Sequence, residues 1–224
     1  MYFLPAERLR LYRNFKSIEV SDFYAIIRFY EQNEDAIRSL DFEEYLDCTL
    51  CYTHALYEAT NFGKHLVMCD HLLELVIMHN VDQWGGEDLY HQLLTQKAAS
   101  FYYQEAFVKA ERILKEIIRI YPDDKLAAIQ LNRTLLHQKP TWLFKARAAM
   151  VMFALLAVVV IALEILAVPY FFPHLLTPMQ LAHQLLVGLS LAALFVAEAG
   201  HSLRCWYLTR RFVHDSLVRK SQSK

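Results

Sequence analysis

Glycine and proline are scarce in this sequence, with five and six residues respectively in a chain of 224. Before Pro122 they occur only at Pro5, Gly63, Gly85 and Gly86. No stretch shows sustained alternation of apolar and polar residues, whereas apolar residues recur at helical spacing. The sequence therefore predicts an all-α fold. Six helices are expected near 22–38, 42–60, 63–79, 88–104, 106–121 and 124–138.

The beginning of the chain lacks the uninterrupted apolar stretch of a secretory signal peptide. Basic side chains interrupt it at Arg8, Arg10, Arg13 and Lys16, and no small-residue cleavage site follows. The segment 1–20 is instead basic and aromatic. It is expected either to lie on a membrane surface or to pack onto the first helices.

Catalytic signatures are also missing. The sequence has no phosphate-binding loop, no G-x-S-x-G nucleophile elbow, no H-E-x-x-H and no kinase motif. Ten histidines are present, but none has a nucleophile at a recognisable spacing. We therefore predict that the protein is not an enzyme, with no catalytic residue and no cofactor.

The four cysteines are spread through helical patterns, as expected for free thiols in a reducing compartment. Cys48 and Cys51 form a C-x-x-C pair, and together with Cys69 they raise the alternative of a metal or redox protein. The pair lies inside an expected helix, and the second cysteine pair of a zinc ribbon is missing. Packed thiols are the favoured interpretation, and no metal site is predicted.

Two long stretches near the end of the chain lack charge. The run Ala148–Phe172 contains one charged residue, Glu164, and the run Leu175–Ala197 contains none. A helix needs about 20 apolar residues to cross the ~30 Å hydrocarbon layer of a bilayer. The sequence therefore predicts two antiparallel transmembrane helices, at about 146–168 and 179–203, joined by a proline-containing turn.

These patterns divide the chain into four segments. They are an N-terminal basic and aromatic segment at 1–20, a cytoplasmic helical domain at 21–140, a transmembrane hairpin with a cytoplasmic helical extension at 141–218, and a tail at 219–224.

Charge is distributed unevenly along the chain. Residues 1–140 carry a net charge of −6, and the remainder carries +5. An acidic domain is a poor nucleic-acid binder, so no nucleic-acid partner is predicted. Lys and Arg flank the hairpin on both sides and are missing from its turn at 168–180. The positive-inside rule therefore predicts a multi-pass protein of the cell (inner) membrane with both termini cytoplasmic.

The helical domain contains an internal repeat with a shift of 45 residues. Tyr45 aligns with Tyr90 and Tyr57 with Tyr102, and five further positions keep their identity or their apolar character. Periods of 20–50 residues indicate stacked supersecondary units. In this alignment His65 takes the place of Ala110, which predicts a hydrogen-bonded core histidine. Trp84-Gly85-Gly86 is expected to form the turn between repeats or, alternatively, a ligand loop.

The second repeat resembles the tetratricopeptide (TPR) family. Small and large apolar residues and a final proline stand at the positions of that pattern: Leu94, Ala98, Phe101, Ala110, Leu114, Ile117 and Pro122. The resemblance implies a TPR-like helical-hairpin solenoid whose concave face, lined by the first helix of each unit, binds a peptide or helix of another protein. The residues implied in such a groove are Asp47, His54, Gln92, Gln96, Lys97 and Tyr103.

The polar residues of the hairpin follow an antiparallel register, because facing residues in such a pair have a nearly constant sum of residue numbers. Glu164 shares this register with His183, and Arg147 shares it with Glu198. The favoured interpretation is that both carboxylates lie near helix ends and reach the headgroups or water unaided; the alternatives are that they pair with these partners or that an ion or proton path uses them. Trp142 and Trp206 share the same register and are expected together at the cytoplasmic interface. Small residues after 187 offer spacing for a close neighbouring helix, including homo-oligomerisation.

Three hypotheses of function follow. The first is a membrane-anchored TPR-like adaptor or scaffold that binds a protein partner. The second is a membrane effector whose hairpins oligomerise into a pore or leak. The third is the metal or redox protein that uses the cysteines.

Overall fold

The computed structural model describes residues 5–166 and 176–222, and in this part the regular secondary structure is helical except for two strands of two residues each. The all-α prediction is therefore confirmed. The helices are α1 (Pro5–Lys16), α2 (Phe23–Gln32), α3 (Glu34–Ile37), α4 (Phe42–Glu58), α5 (Phe62–His79), α6 (Leu89–Tyr103), α7 (Phe107–Ile120), α8 (Lys125–His137), α9 (Thr141–Leu166) and α10 (Leu176–Gln222). The strands are β1 (Gln83–Trp84) and β2 (Glu87–Asp88).

The chain forms two compact units, Met1–Thr134 and Leu135–Lys224. In the first unit consecutive helices from α4 to α7 pack against one another, and α2 packs against α4. In the second unit α9 packs along α10. The repeat helices and the apolar hairpin therefore belong to different units.

The prediction of one continuous helix over 22–38 is wrong, because the helix breaks at Asn33. The backbone of Asn33 leaves the helical region, with φ −120° and ψ 21°. Its side-chain amide donates to the carbonyl oxygen of Phe29 at 2.8 Å. Asparagine competes for backbone groups in this way and so ends helices. The first turn of α2 is capped by Asp22, whose carboxylate accepts from the amide of Ala25 at 3.0 Å.

The 45-residue repeat is present as repeated geometry. Thr60 and Glu105, which are 45 residues apart, both adopt the left-handed conformation, with φ 57° and 58°. Behind them the amides of Asn61 and Ala106 each donate to a carbonyl oxygen five residues earlier, at 2.9 Å in both cases. These bonds form the same Schellman motif at the ends of α4 and α6. The two helical hairpins therefore turn in the same way.

Aromatic contacts repeat at the same two turns. The rings of Tyr57 and Phe62 lie 5.9 Å apart at an angle of 70°. Those of Tyr102 and Phe107 lie 5.6 Å apart at 69°. Edge-to-face aromatic pairs at such distances stabilise a contact beyond their buried area. The aromatic residues that are identical in the two repeats therefore make the same contact in each repeat.

The core of the first unit is made of leucine, isoleucine and small residues between the helices. Fully buried side chains in it include Ile37, Leu46, Leu56, Leu72, Leu89, Leu93, Leu114, Ile117, Ile118 and Leu131. Helix α1 joins this core, since Phe15 is buried there and Leu11 and Tyr12 pack against it. The described part of α1 therefore packs onto the first helices, which is one of the two expectations for the N-terminal segment.

In the second unit α9 and α10 lie side by side and antiparallel, and both are long and apolar enough to cross a membrane. Only 6% of the residues in the most apolar stretch of each helix are buried. A core helix of a water-soluble protein would be mostly buried. Ala157 and Ala197 are among the few buried positions, and leucines, valines and Phe195 point outward. The turn predicted at 168–180 lies largely outside the described residues.

The left-handed residues at the two hairpin turns give a stability prediction. Replacing Thr60 or Glu105 by glycine removes the clash of a Cβ atom at positive φ, so each change should raise the free energy of unfolding by about 0.5–1 kcal/mol. Thermal unfolding of the purified chain in detergent measures this. The matched controls Ala59→Gly and Gln104→Gly, one residue earlier at negative φ, should lower stability. Destabilisation by glycine at 60 and 105 as well would contradict the shared turn.

Candidate functional site

An open groove of about 270 Å³ lies between α4 and α6 in the first unit. Its lining residues come from two parallel first helices of the repeat and from the strand β1. They are Asp47, Leu50, Cys51, Thr53, His54, Trp84, Leu89, Gln92, Leu93 and Gln96. The groove therefore combines an apolar floor with a polar rim.

The floor of the groove is built by buried leucines. Leu89 and Leu93 are 1% and 2% exposed, and Leu50 is partly buried. On α4 the lining positions Asp47, Leu50 and His54 follow the spacing of one helical stripe. Core packing thus fixes the floor, and the rim side chains stand on the same rigid helices.

Four of the six predicted groove residues line this groove: Asp47, His54, Gln92 and Gln96. The other two are engaged elsewhere. Lys97 forms an ion pair with Asp70 of α5. Tyr103 stacks on Phe62, with ring centroids 5.2 Å apart. The leucines were not predicted to line the groove, and Trp84 was named as a binding residue only in the alternative of a ligand loop. The helical spacing from Asp47 to His54 is the sequence signal that indicates Leu50.

Asp47 is held in place by two donors from α1. The hydroxyl of Tyr12 donates to Asp47 Oδ2 at 2.9 Å, and Lys16 Nζ lies 2.7 Å from the same oxygen. Burial and the hydrogen bond to this carboxylate raise the pKa of Tyr12 to about 12. The hydrogen bond to Asp47 also raises the pKa of Lys16. The acidic edge of the groove therefore already accepts one ammonium group.

Trp84 reaches the groove from a short β-hairpin. Trp84 pairs with Glu87, and Gly85 and Gly86 between them have φ 60° and 87°. Positive φ at both central residues defines a type I′ turn, which glycine adopts without strain. The segment is thus the turn between the two repeats, and it also brings an indole to the rim of the groove.

The cysteines are packed thiols. Cys48 and Cys69 are fully buried, and burial raises the pKa of each to about 12. Burial also raises the pKa of Cys51. Burial thus favours the neutral thiol over the thiolate at all three positions. Within the described residues no three His, Cys, Asp or Glu side chains are grouped to hold a metal ion.

His65 lies in the core between α5 and α6. It is fully buried, its Nδ1 is 2.8 Å from the hydroxyl oxygen of Ser100, and its Nε2 is 3.4 Å from Cys69 Sγ. Burial lowers the pKa of His65 to about 4 because the imidazolium would lose its solvation. The contact with Ser100 therefore joins α5 to α6, whereas the contact with Cys69 lies within α5.

In the described part of the second unit, three polar contacts join the helices of the hairpin. Glu164 Oε2 lies 2.8 Å from His183 Nδ1. The Nε and Nη2 atoms of Arg147 donate to Glu198 Oε1 at 2.9 and 2.5 Å. Ser190 Oγ also donates to the carbonyl oxygen of Met150, at 3.2 Å. Each carboxylate of the hairpin thus has a partner on the opposite helix.

The two tryptophans of the hairpin have different partners. The ring of Trp142 lies edge-on to His201 at 6.1 Å. Trp206 lies under the guanidinium of Arg210 at 4.2 Å. The shared register of the tryptophans therefore does not bring them into the mutual contact that was expected.

The small residues of α10 divide between two faces. Ala197 and Ser190 are buried against α9, whereas Gly188 and Ala192 are exposed. A Cβ atom on Gly188 would meet nothing within 4 Å. Close packing within the hairpin therefore uses Ser190 and Ala197 but not the glycine.

Comparison with known proteins finds no matching family model, no matching curated protein and no matching solved structure. The TPR resemblance therefore rests on the residues and geometry of this chain alone. Six of the seven positions that carry it are buried in the structure, including Ala98 and Ala110 at 1% and 0% exposed, and Phe101 is partly buried.

The low pKa of His65 predicts acid sensitivity of the first unit. The unfolded chain binds a proton at this histidine near pH 6.5, and the folded chain does so only near pH 4. Its contribution to stability is therefore complete above about pH 6.5 and is lost as the pH falls toward 4, by up to about 3 kcal/mol. Denaturant unfolding at several pH values should show a flatter dependence for His65→Gln. His214→Gln, at a side chain that is 77% exposed, should keep the wild-type curve; parallel curves for all three proteins would contradict the assignment.

The Arg147–Glu198 contact predicts rescue by charge exchange. Arg147→Glu and Glu198→Arg each place like charges together, so each should destabilise the helix pair by about 1–2 kcal/mol. The double variant restores opposite charges and should recover most of the loss. Unfolding in mixed detergent micelles measures all three. Additive losses in the double variant would show that the two side chains do not interact.

Proposed function

We propose that this protein is a membrane-anchored adaptor, whose helical-repeat domain binds a segment of a protein partner beside the membrane. The hairpin of α9 and α10 holds it in the bilayer. The observation that carries the proposal is the open groove between α4 and α6, built on rigid helices of a chain that also has two exposed apolar helices.

The membrane assignment is supported by the surface of the hairpin. Large apolar side chains are exposed along both helices, among them Leu155, Val158, Leu189 and Phe195. Continuous apolar surface of this extent is unfavourable in water. In a bilayer the same side chains face lipid, and the helical backbone satisfies its own hydrogen bonds.

The anchoring role is supported by the polar contacts of the hairpin. Charged groups in a bilayer are costly unless they are paired or hydrated. Glu164 and Glu198 each have a partner on the opposite helix, at 2.8 and 2.5 Å. The hairpin is therefore satisfied as a monomeric unit and needs no further subunit to cover its carboxylates.

The cell (inner) membrane and cytoplasmic termini belong to the same proposal. Lys145 and Arg147 lie in α9 before its apolar run, and Arg204, Arg210 and Arg211 lie in α10 after its apolar run. Such residues favour the cytoplasmic side, where anionic lipids also attract them. This orientation places the groove in the cytoplasm.

The binding role is supported by the repeat geometry. Two similar helical hairpins contribute residues of their first helices to one groove, and solenoids that bind peptides or helices have such a surface. Six of the seven residues that carry the TPR resemblance are buried and Phe101 is partly buried, which agrees with the close packing of that family. A TPR-like scaffold with a protein ligand in its groove is thus the interpretation that uses both features.

Site-specific photo-crosslinking in intact cells tests the adaptor. A photoreactive residue at Gln92 or Gln96 in the groove should crosslink one and the same protein. The control position Met78 on α5, which is 77% exposed and outside the groove, should not. Crosslinks that are no more frequent from the groove than from Met78 would contradict the proposal.

The same cells test the pore alternative. A membrane-potential dye should report no depolarisation on overexpression, because the carboxylates are paired within the hairpin. Depolarisation that disappears with Glu164→Ala or Glu198→Ala would favour the effector over the adaptor.

A further inference from the structure

The helices around the groove are strongly acidic. Between residues 39 and 96 the chain has one basic residue, Lys64, against ten acidic ones. The acidic residues are Asp41, Glu43, Glu44, Asp47, Glu58, Asp70, Glu74, Asp82, Glu87 and Asp88. Lys64 itself is paired with Glu31, at 2.6 Å. A surface with this imbalance carries a negative potential that attracts cationic groups.

The acidic residues of α4 extend the line of the groove. Glu43 lies four residues before Asp47, and Glu58 lies four residues after His54, so all four fall on one helical stripe. Glu43 and Glu58 are both exposed. Carboxylates therefore stand near both ends of the groove as well as on its edge.

Positive charge is missing from the groove itself. Its lining residues include one carboxylate and no lysine or arginine. The one basic residue of α6, Lys97, is engaged with Asp70, and only 15% of its side chain is exposed. Lys16, which contacts the lining residue Asp47, is already paired with that carboxylate, so an acidic ligand would have to compete with Asp47 for it.

The contact of Lys16 with Asp47 shows which group this edge accepts. The ammonium of Lys16 lies 2.7 Å from Asp47 Oδ2, and 48% of the lysine side chain remains exposed. The remaining rim offers Trp84, whose indole face attracts cations. Gln92 is exposed and offers an amide donor and acceptor for a peptide backbone, whereas the side chain of Gln96, one helical turn further on, hydrogen bonds to His65.

We propose that the groove binds a basic segment of another protein, in which lysine or arginine residues flank leucine-like side chains. The apolar side chains pack on Leu50, Leu89 and Leu93. The cations lie along the Glu43–Glu58 stripe and over Trp84. This inference rests on the proposed adaptor function and adds the chemistry of the partner segment.

Fluorescence anisotropy of the full chain in maltoside micelles tests the proposal. The probe is a labelled twelve-residue peptide with four lysines around two leucines, and its counterpart has glutamate in place of each lysine. The lysine peptide should bind at least about tenfold more tightly than the glutamate peptide, and more weakly as salt is raised. Equal affinities, or tighter binding of the glutamate peptide, would overturn the proposal.

A matched pair of variants shows whether binding occurs in the groove. Gln92→Arg places one cation in it and should weaken binding of the lysine peptide at least about fivefold. Gln104→Arg makes the same chemical change at an exposed position outside the groove and should change the affinity less than about twofold. Thermal unfolding of each variant checks the fold. Equal losses from both sites would contradict a groove-bound cation.

The outcome also separates this inference from the adaptor function. If Gln92 crosslinks a partner in cells while the lysine peptide does not bind, the partner has different chemistry and only the present inference is wrong. If neither crosslinking nor peptide binding depends on the groove, the adaptor function is wrong as well.

Discussion

The exposed apolar surface of α9 and α10 is the constraint on which the rest of the account depends. Within the most apolar stretch of each helix only 6% of the residues are buried in the chain, which is why the proposal places them in a bilayer. At the same time the polar groups Glu164, His183, Arg147 and Glu198 are turned toward each other between the helices. A hairpin with lipid outside and closed polar contacts inside satisfies both requirements. If the hairpin is in the membrane, the helical domain works beside it.

The helical domain obtains its groove from repetition of local structure. The turns after α4 and α6 have the same left-handed residue, the same hydrogen bonds and the same aromatic contact. Identical turns orient successive helices in the same way, so α4 and α6 become neighbours on one surface. The buried leucines that hold these helices together also form the floor of the groove. The same residues therefore provide the core packing and the floor of the groove, and the acidic rim is made of side chains that lie outside the core.

Local patterns predicted much of this structure, and contacts between distant residues account for what they missed. The helices followed from apolar spacing and from the scarcity of glycine and proline. The facing of Glu164 and His183 followed from register, because two antiparallel helices rise equally per residue. The break at Asn33 was missed because it depends on one side chain competing for the carbonyl oxygen of Phe29. Lys97 was misplaced in the groove because its partner Asp70 lies on another helix.

Cysteine labelling in intact cells tests the central claim, the membrane hairpin with its cytoplasmic domain, most directly. A membrane-impermeant maleimide should label Thr177→Cys, next to the turn of the hairpin, from outside. It should label Ser221→Cys, near the end of α10, only after the membrane is permeabilised. The unsubstituted protein, whose four cysteines lie on the cytoplasmic side in this account, is the control. Labelling of Ser221→Cys in intact cells, or of neither position until permeabilisation, would contradict the account.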